Sequence, residues 1–441
     1  ERRLFEAQMP TTRSGRPASP ARNSRSPARD SKMTPKSPYP GLSKQQLREL
    51  SQHDKYSRVF YEPHSIIALM SLVAFGVYAA FSFDGGDSVF NVKIGLIACV
   101  FVFLYYCATQ FHDTLFVRPH PVFWRVVTGL GVLYLILCVF LLFQSLDDVR
   151  QLLKHVDPSL GVPLPERSYG DACTVYTPDN PNGAFANIWA CLMDEFVVAH
   201  VLGWFAKSMM IRNTAVCLLI SVWFELLELT FQHWLPNFIE CWWDHIIVDL
   251  LTCNALGIWL GNKAVRYMSM REYHWDIVSN IPTVSGKVSR IIGQFGPFSW
   301  DKSDWEVLSG PKRMLQIVFM SLVILTNEMN AFFLKFLLWI PPSHPVNLVR
   351  LLLWWLLGLL ATREFHHYVS DPSCRKLGTH LWVSVTGVLV ELLIWIKFSR
   401  GIFTQPFPTT VVVSWAVGIS AFVAWFIYHF FYKTKVKVSV E

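Results

Sequence analysis

The stretch Glu225–Asn254, ELLELTFQHWLPNFIECWWDHIIVDLLTCN, sets Glu225, Glu228, Glu240, Asp244 and Asp249 into and between two apolar runs. The runs, 214–233 and 244–262, match the roughly 20 residues a helix needs to cross a bilayer. A carboxylate at the bilayer centre costs roughly 2.5–3.5 kcal/mol on insertion scales, and less toward the interface. A cluster of them demands a compensating positive charge, yet the stretch holds no Lys or Arg.

The pattern of apolar runs and polar breaks extends outward from this stretch in both directions. Ten apolar segments are predicted to span a membrane: 65–83, 92–109, 122–143, 187–211, 214–233, 244–262, 312–340, 346–362, 378–397 and 410–432. Segment 187–211 is interrupted by Asp194, Glu195 and His200 and reads as a span with a polar inner face. Over all 441 residues, 52% are hydrophobic and only 16% charged, against roughly 25% charged in a soluble domain. That excludes a soluble globule. Aromatic residues make up 15% of the chain, which fits, because Trp and Tyr gather at membrane interfaces. The expected fold class is an all-α, polytopic membrane helical bundle.

The formal net charge of +7 belongs to one end of the chain. Residues 1–58 hold 13 Lys/Arg against 5 Asp/Glu, so the rest is close to neutral. Residues 1–57, rich in Ser, Pro and Arg, lack the apolar surface to fold and read as a disordered basic tail. No early apolar run marks a secretory signal. The expected division is this tail, a transmembrane catalytic domain over 58–432 with its site region at about 187–261, and a short basic tail over 433–441. Ten spans place both ends on one side, and the basic tails put that side in the cytosol. The loop 144–186, with six acids against three bases, falls opposite. Lys397 and Arg400 break the positive-inside pattern.

Nine cysteines show no CxxC pair and hence no thiolate metal signature. Most lie in apolar runs and read as small hydrophobes. Cys173, in the long polar loop, would be open to oxidation if that loop is extracytoplasmic.

Glu225 and Glu228, spaced i and i+3, share one helix face. A short turn with Pro236 follows, carrying Asn237 and Glu240, and the next span opens on Asp244 and carries Asp249. These oxygens can converge at one membrane depth, with His200 of the preceding segment in reach. An all-oxygen set suits a hard cation such as calcium or magnesium. Zinc prefers His and Cys, and His233 and His245 lack the HExxH spacing. Blander roles compete: polar helix contacts or a proton relay for Glu225, Glu228 and Asp249, an interfacial place for Asp244, a turn for Asn237, a solvated charge for Glu240 and a structural His200. Arg118, with His120 and Arg125, and Arg363, beside Glu364, His366 and His367, could hold a lipid phosphate or regulate. Their alternatives are positive-inside bias and a snorkelling helix end. No Gly-rich phosphate loop and no DGxxAR run is present. An ion- or proton-coupled transporter using intramembrane acids is the competing function class, and a lipid-binding scaffold is a third.

Four stretches together resemble the eukaryotic base-exchange phosphatidylserine synthases: RPHPVFWR (118–125), PERSYGDACTVYTPDNP (165–181), AHVLGWFAKSMMIRN (199–213) and FELLELTFQHWLPNFIECWWDHIIVDLLTCNALGIWLG (224–261). LPNFIECWWD with its flanking acids is the most specific part, and the resemblance covers roughly residues 60–400. It implies a calcium-dependent exchange at the endoplasmic reticulum membrane in which L-serine replaces ethanolamine or choline on an existing phospholipid. No nucleotide or nucleic acid is involved, and a homodimer is implied. On that resemblance His200 is the catalytic base with Asp249 its companion. Glu225, Glu228, Asn237, Glu240 and Asp244 are the calcium ligands, and Asp249 could serve either role.

Overall fold

Over the described residues every expected span is helical, because apolar runs without water must satisfy each backbone N–H and C=O within the segment. The computed structural model describes residues 66–82, 88–112, 121–165, 173–193, 195–269, 305–371 and 376–432, together with Thr114, Ser168, Gly170, Thr283, Val284 and Cys374. The two tails, most of the loop 264–311 and Arg118 lie outside these residues. All described residues fall in one compact unit, Ser43–Glu441.

In chain order the helices are α1 (Ile66–Ser82), α2 (Ser88–Gln110), α3 (Pro121–Leu142), α4 (Leu146–Val156), α5 (Ala186–Leu192), α6 (Glu195–Ile211) and α7 (Thr214–Phe231). A 3-10 turn, Pro236–Phe238, and a π-helix, Asp244–Asn254, lead into α8 (Ala255–Ser269). Then come α9 (Pro311–Leu337), α10 (Pro345–Ser370), α11 (Thr379–Phe398) and α12 (Thr409–Ile427). No strand occurs among the described residues. Among the described residues, eight helical stretches, α5 and α6 counted as one, are long and apolar enough to cross a membrane. The other two expected spans are helical as well: α1 has 17 residues, and the π-helix with α8 runs unbroken from 244 to 269 while carrying the acids.

The ends of the helices follow local chemistry. Asn213 caps α7 by accepting from Val216 N at 3.1 Å, which satisfies one of the first-turn donors a helix leaves free. Ser145 does the same for the amphipathic α4, accepting from Asp148 N at 3.2 Å. Arg150 then pins α4 to the end of α9, lying 3.4 Å over the Trp339 ring and donating to Leu337 O at 2.8 and 3.0 Å. Lys397, which broke the charge pattern of the loops, has a local use. Its ammonium donates to Leu142 O at 2.8 Å and Gln144 O at 2.7 Å, closing the carbonyl end of α3.

The main core lies between α6, α7, α9, α10 and α11 and includes Trp204, Ile220, Phe224, Phe333 and Trp305. Glu391 of α11 is fully buried. Arg350 of α10 reaches it at 2.6 and 3.1 Å, Tyr134 of α3 donates to it, and Asn330 of α9 donates at 3.2 Å. One carboxylate thus ties four helices together, and its charge is met by a guanidinium in the fork geometry arginine favours.

Two glycines set the approach of α6 to α8. A Cβ on Gly257 would stand 2.5 Å from Val201 O, and one on Gly261 would stand 2.6 Å from Phe205 O. Small residues four apart let membrane helices pack backbone to backbone. This contact fixes α6, and with it His200, against the segment that carries Asp249.

Candidate active site

The π-helix decides how the acids assemble. In an α-helix two residues five apart point about 140° away from each other. The wider π turn, roughly 4.4 residues, reduces that to about 50°. The buried residues of this segment accordingly come in steps of four or five: Asp244 and His245, Val248 and Asp249, Cys253 and Asn254. Asp244, Asp249 and Asn254 therefore form one buried column, facing Glu225 and Glu228, both also buried on α7.

His245 occupies the middle of this assembly. Its Nδ1 lies 3.2 Å from Glu225 Oε2, 3.5 Å from Glu240 Oε2 and 3.8 Å from Glu228 Oε2. Asn254, with no exposed surface, donates to Glu225 Oε1 and to Ser221 Oγ, both at 3.0 Å. Cys191 of α5 donates to Asp244 Oδ1 at 2.8 Å. Glu240 sits in the turn before the π-helix, among the charges of Asp249, Asp244 and Glu225. Burial, and then the charges of Asp249, Asp244 and Glu225, push its carboxyl up to about 9.

His200 Nδ1 stands 2.8 Å from Asp249 Oδ1, an ion-pair contact whose alignment falls short of a hydrogen bond. Catalytic contacts of this kind tighten when a substrate is in place. The His200 side chain keeps 23% of its surface open, whereas Asp249 keeps 8%. The histidine is accessible and the carboxylate behind it is not, as expected for a base and the group that orients it.

Four buried polar atoms of the cluster have no hydrogen-bond partner: Glu228 Oε2, Glu240 Oε2, His245 Nε2 and Asn254 Oδ1. Buried polar atoms are ordinarily satisfied, so these mark where a ligand belongs. Glu225, Glu228 and His245 present donor atoms within 4.8 Å of one another, a spacing that could hold a metal ion. The oxygen-rich set fits a hard cation. His245 then serves as the hydrogen-bond partner of Glu225.

The expected site residues divide as follows. His200 and Asp249 meet, Glu225, Glu228 and Glu240 converge on His245, and Asp244 joins the same column. Asn237 is half-buried in the 3-10 turn, and none of the described contacts joins it to the carboxylates. Arg363 is half-buried on α10, likewise without a described contact to the cluster. Its neighbour Glu364 pairs with His380 at 2.6 Å. Arg118 lies outside the described residues. Two members escaped sequence reasoning. His245 lacks zinc-site spacing, and its place one residue after Asp244 is the signal the sequence offers. Asn254 gave no signal that an α-helical reading could use.

The turn itself is held from the long polar loop. Cys173 forms a disulfide with Cys241, and Trp243 Nε1 donates to Cys173 O at 3.1 Å. The bond ties the segment between Glu240 and Asp244 to a loop 68 residues away in sequence.

A helical membrane bundle with a histidine–carboxylate pair beside a buried, oxygen-rich centre is the arrangement an intramembrane enzyme would use. The comparisons with known proteins give it a family. Residues 119–399 match the family model described as "Phosphatidyl serine synthase". The chain is 46% identical over 376 residues to the rice protein "CDP-diacylglycerol--serine O-phosphatidyltransferase 2", covering 84% of this chain and 89% of the other. It is 44% identical to the Arabidopsis thaliana protein "CDP-diacylglycerol--serine O-phosphatidyltransferase 1", with the same coverage. Against the human "Phosphatidylserine synthase 2" it is 41% identical over 394 residues, 89% of this chain and 81% of that one. The chain belongs to the phosphatidyl serine synthase family and is a membrane phosphatidyltransferase. A transporter is thereby set aside.

Proposed function

We propose that this enzyme makes phosphatidylserine by calcium-dependent head-group exchange, with L-serine displacing ethanolamine or choline from an existing phospholipid. The observation that carries the reading is the His200–Asp249 contact at 2.8 Å, set beside a carboxylate cluster in which Glu228 Oε2 and Glu240 Oε2 are buried without a hydrogen-bond partner. Glu225, Glu228, Glu240 and Asp244 are the residues that would hold calcium, with Asn237 a further ligand only if the turn rearranges. Calcium held there supplies positive charge next to the phosphodiester, where negative charge grows on the phosphoryl oxygens.

The chain's own residues do the rest. His200, oriented by Asp249, takes the proton from the serine hydroxyl as its oxygen bonds to phosphorus. The phosphorus–oxygen bond to the departing amino alcohol breaks, and His200 returns the proton to that oxygen. Atoms and charges balance without a nucleotide. His245 and Asn254 hold Glu225 in place through both of its oxygens.

The printed names of the rice and Arabidopsis relatives favour a second donor, CDP-diacylglycerol, in which the leaving group is CMP. The missing DGxxAR run and phosphate loop weigh against it. Purified full chain, labelled L-serine and a calcium titration, with phosphatidylethanolamine, phosphatidylcholine or CDP-diacylglycerol as donor, decide between them. Released ethanolamine or choline supports exchange, whereas CMP release supports the nucleotide route. No serine incorporation at any calcium level overturns the assignment.

The disulfide bears on location. Such bonds persist in oxidising compartments, so the Cys173–Cys241 bond supports the proposed arrangement, an endoplasmic reticulum membrane protein with that loop and turn luminal and both termini cytosolic. The functional unit on this reading is a homodimer.

A further inference from the structure

Beside the carboxylate cluster, α6 and α9 share a second charged feature that the reaction as described leaves unused. Lys207 lies seven residues after His200, on the same face of α6. Its ammonium sits 3.5 Å over the ring of Trp204, a side chain only 2% exposed, and 5.5 Å from the ring of Phe224. It forms an ion pair with Glu328 of α9. The second oxygen of that carboxylate, Oε2, is buried and has no partner. Four residues along α9, Phe332 continues the wall, 6.0 Å from Phe224 and 4.9 Å from Phe238 of the 3-10 turn. Helical side chains lean toward the N-terminus, so the ammonium is carried back along α6 in the direction of His200.

We propose that Lys207 and Glu328 form the recognition site for the zwitterionic end of the incoming amino acid, Lys207 meeting its carboxylate and Glu328 Oε2 its ammonium. This rests on the proposed use of serine as acceptor. The chemistry of the pair selects the ligand. A lone anion such as a phosphodiester would gain Lys207 but face the Glu328 carboxylate. A lone cation such as ethanolamine would gain Glu328 but face the ammonium. An amino acid carries both charges two bonds apart, and matches both groups at once. The aromatic walls leave both side chains largely out of water, 16% and 19% exposed, which strengthens each contact, and the ring of Trp204 adds a cation–π contact to the ammonium. Serine and ethanolamine differ by one carboxylate, so this is the place where the acceptor is told apart from a leaving group of the same reaction.

The test uses the purified full chain with phosphatidylcholine as donor and two acceptors, L-serine and ethanolamine. For Lys207→Met, the ratio of the KM for L-serine to the KM for ethanolamine is expected to rise about ten- to a hundredfold, the loss of one charge-assisted hydrogen bond. For Glu328→Gln both KM values rise and the ratio moves little, since both acceptors carry an ammonium. Lys207→Arg is expected to restore most of the discrimination. A purely structural ion pair would lower both activities together in Lys207→Met, leaving the ratio in place, and that result overturns the assignment. The native protein supplies a check that no misfolded variant can obscure: L-serinamide, which lacks the carboxylate charge, should show a KM raised by a similar factor. Equal use of L-serine and L-serinamide by native protein also overturns it. Failure of native protein to incorporate serine from any donor would instead remove the proposed reaction.

Discussion

His245 Nδ1 and Glu225 Oε2 stand 3.2 Å apart at the centre of a cluster of buried carboxylates. The imidazole sets a nitrogen among them, and it faces Glu228 and Glu240 as well. The electrostatic problem posed by the acids is thus partly met inside the protein and partly left to a ligand. His245→Ala is expected to lower thermal stability by about 1.5–3 kcal/mol, the worth of a hydrogen bond to a charged group. It should also raise the calcium concentration for half-maximal serine incorporation. Thermal unfolding and a calcium titration of the same preparation measure the two effects. A variant with native calcium dependence would reduce His245 to a packing residue.

His200 and Asp249 form the pair assigned to proton transfer. His200→Ala is expected to cut turnover by about 10²–10⁴-fold, the usual worth of general acid–base catalysis, while calcium binding measured by calorimetry survives. Loss of calcium binding in that variant would move His200 into the metal site.

Glu228 carries a buried, unpartnered oxygen and no catalytic proton. For Glu228→Gln we expect a raised calcium requirement with serine KM little changed. The titration with calcium read against one with serine separates a ligand from an acceptor-binding residue.

The disulfide between Cys173 and Cys241 closes a long loop. On the chain-entropy model its loss costs about 4 kcal/mol, and it releases the turn between Glu240 and Asp244. Reduction with a thiol, or Cys173→Ser, should lower both the melting temperature and the apparent calcium affinity. Stability lost with calcium affinity intact would show that the turn keeps its shape unaided.

Gly257→Ala places a methyl against Val201 O, backbone that cannot rotate away. The separation of α6 from α8 that follows should draw His200 from Asp249. Turnover is expected to fall more than calcium binding. Native turnover would mean that the helices part without disturbing the pair.

The sequence alone determined the helical bundle, because long apolar runs with few charges admit no other solution in lipid. It also determined which residues would gather: Glu225 and Glu228 share a face by simple i, i+3 spacing, and a short Pro turn must bring Glu240 and Asp244 back beside them. Tertiary structure decided the rest. The π-helix, packed against α6, α7 and α8, sets Asp244, Asp249 and Asn254 on one column, a register that no residue pattern in the segment announces. His245 entered the centre through that register. The Cys173–Cys241 bond and the Lys207–Glu328 pair join residues 68 and 121 positions apart, separations over which spacing carries no information. Local periodicity fixes which side chains share a helix face, and only the packing of one helix on another fixes what that face meets.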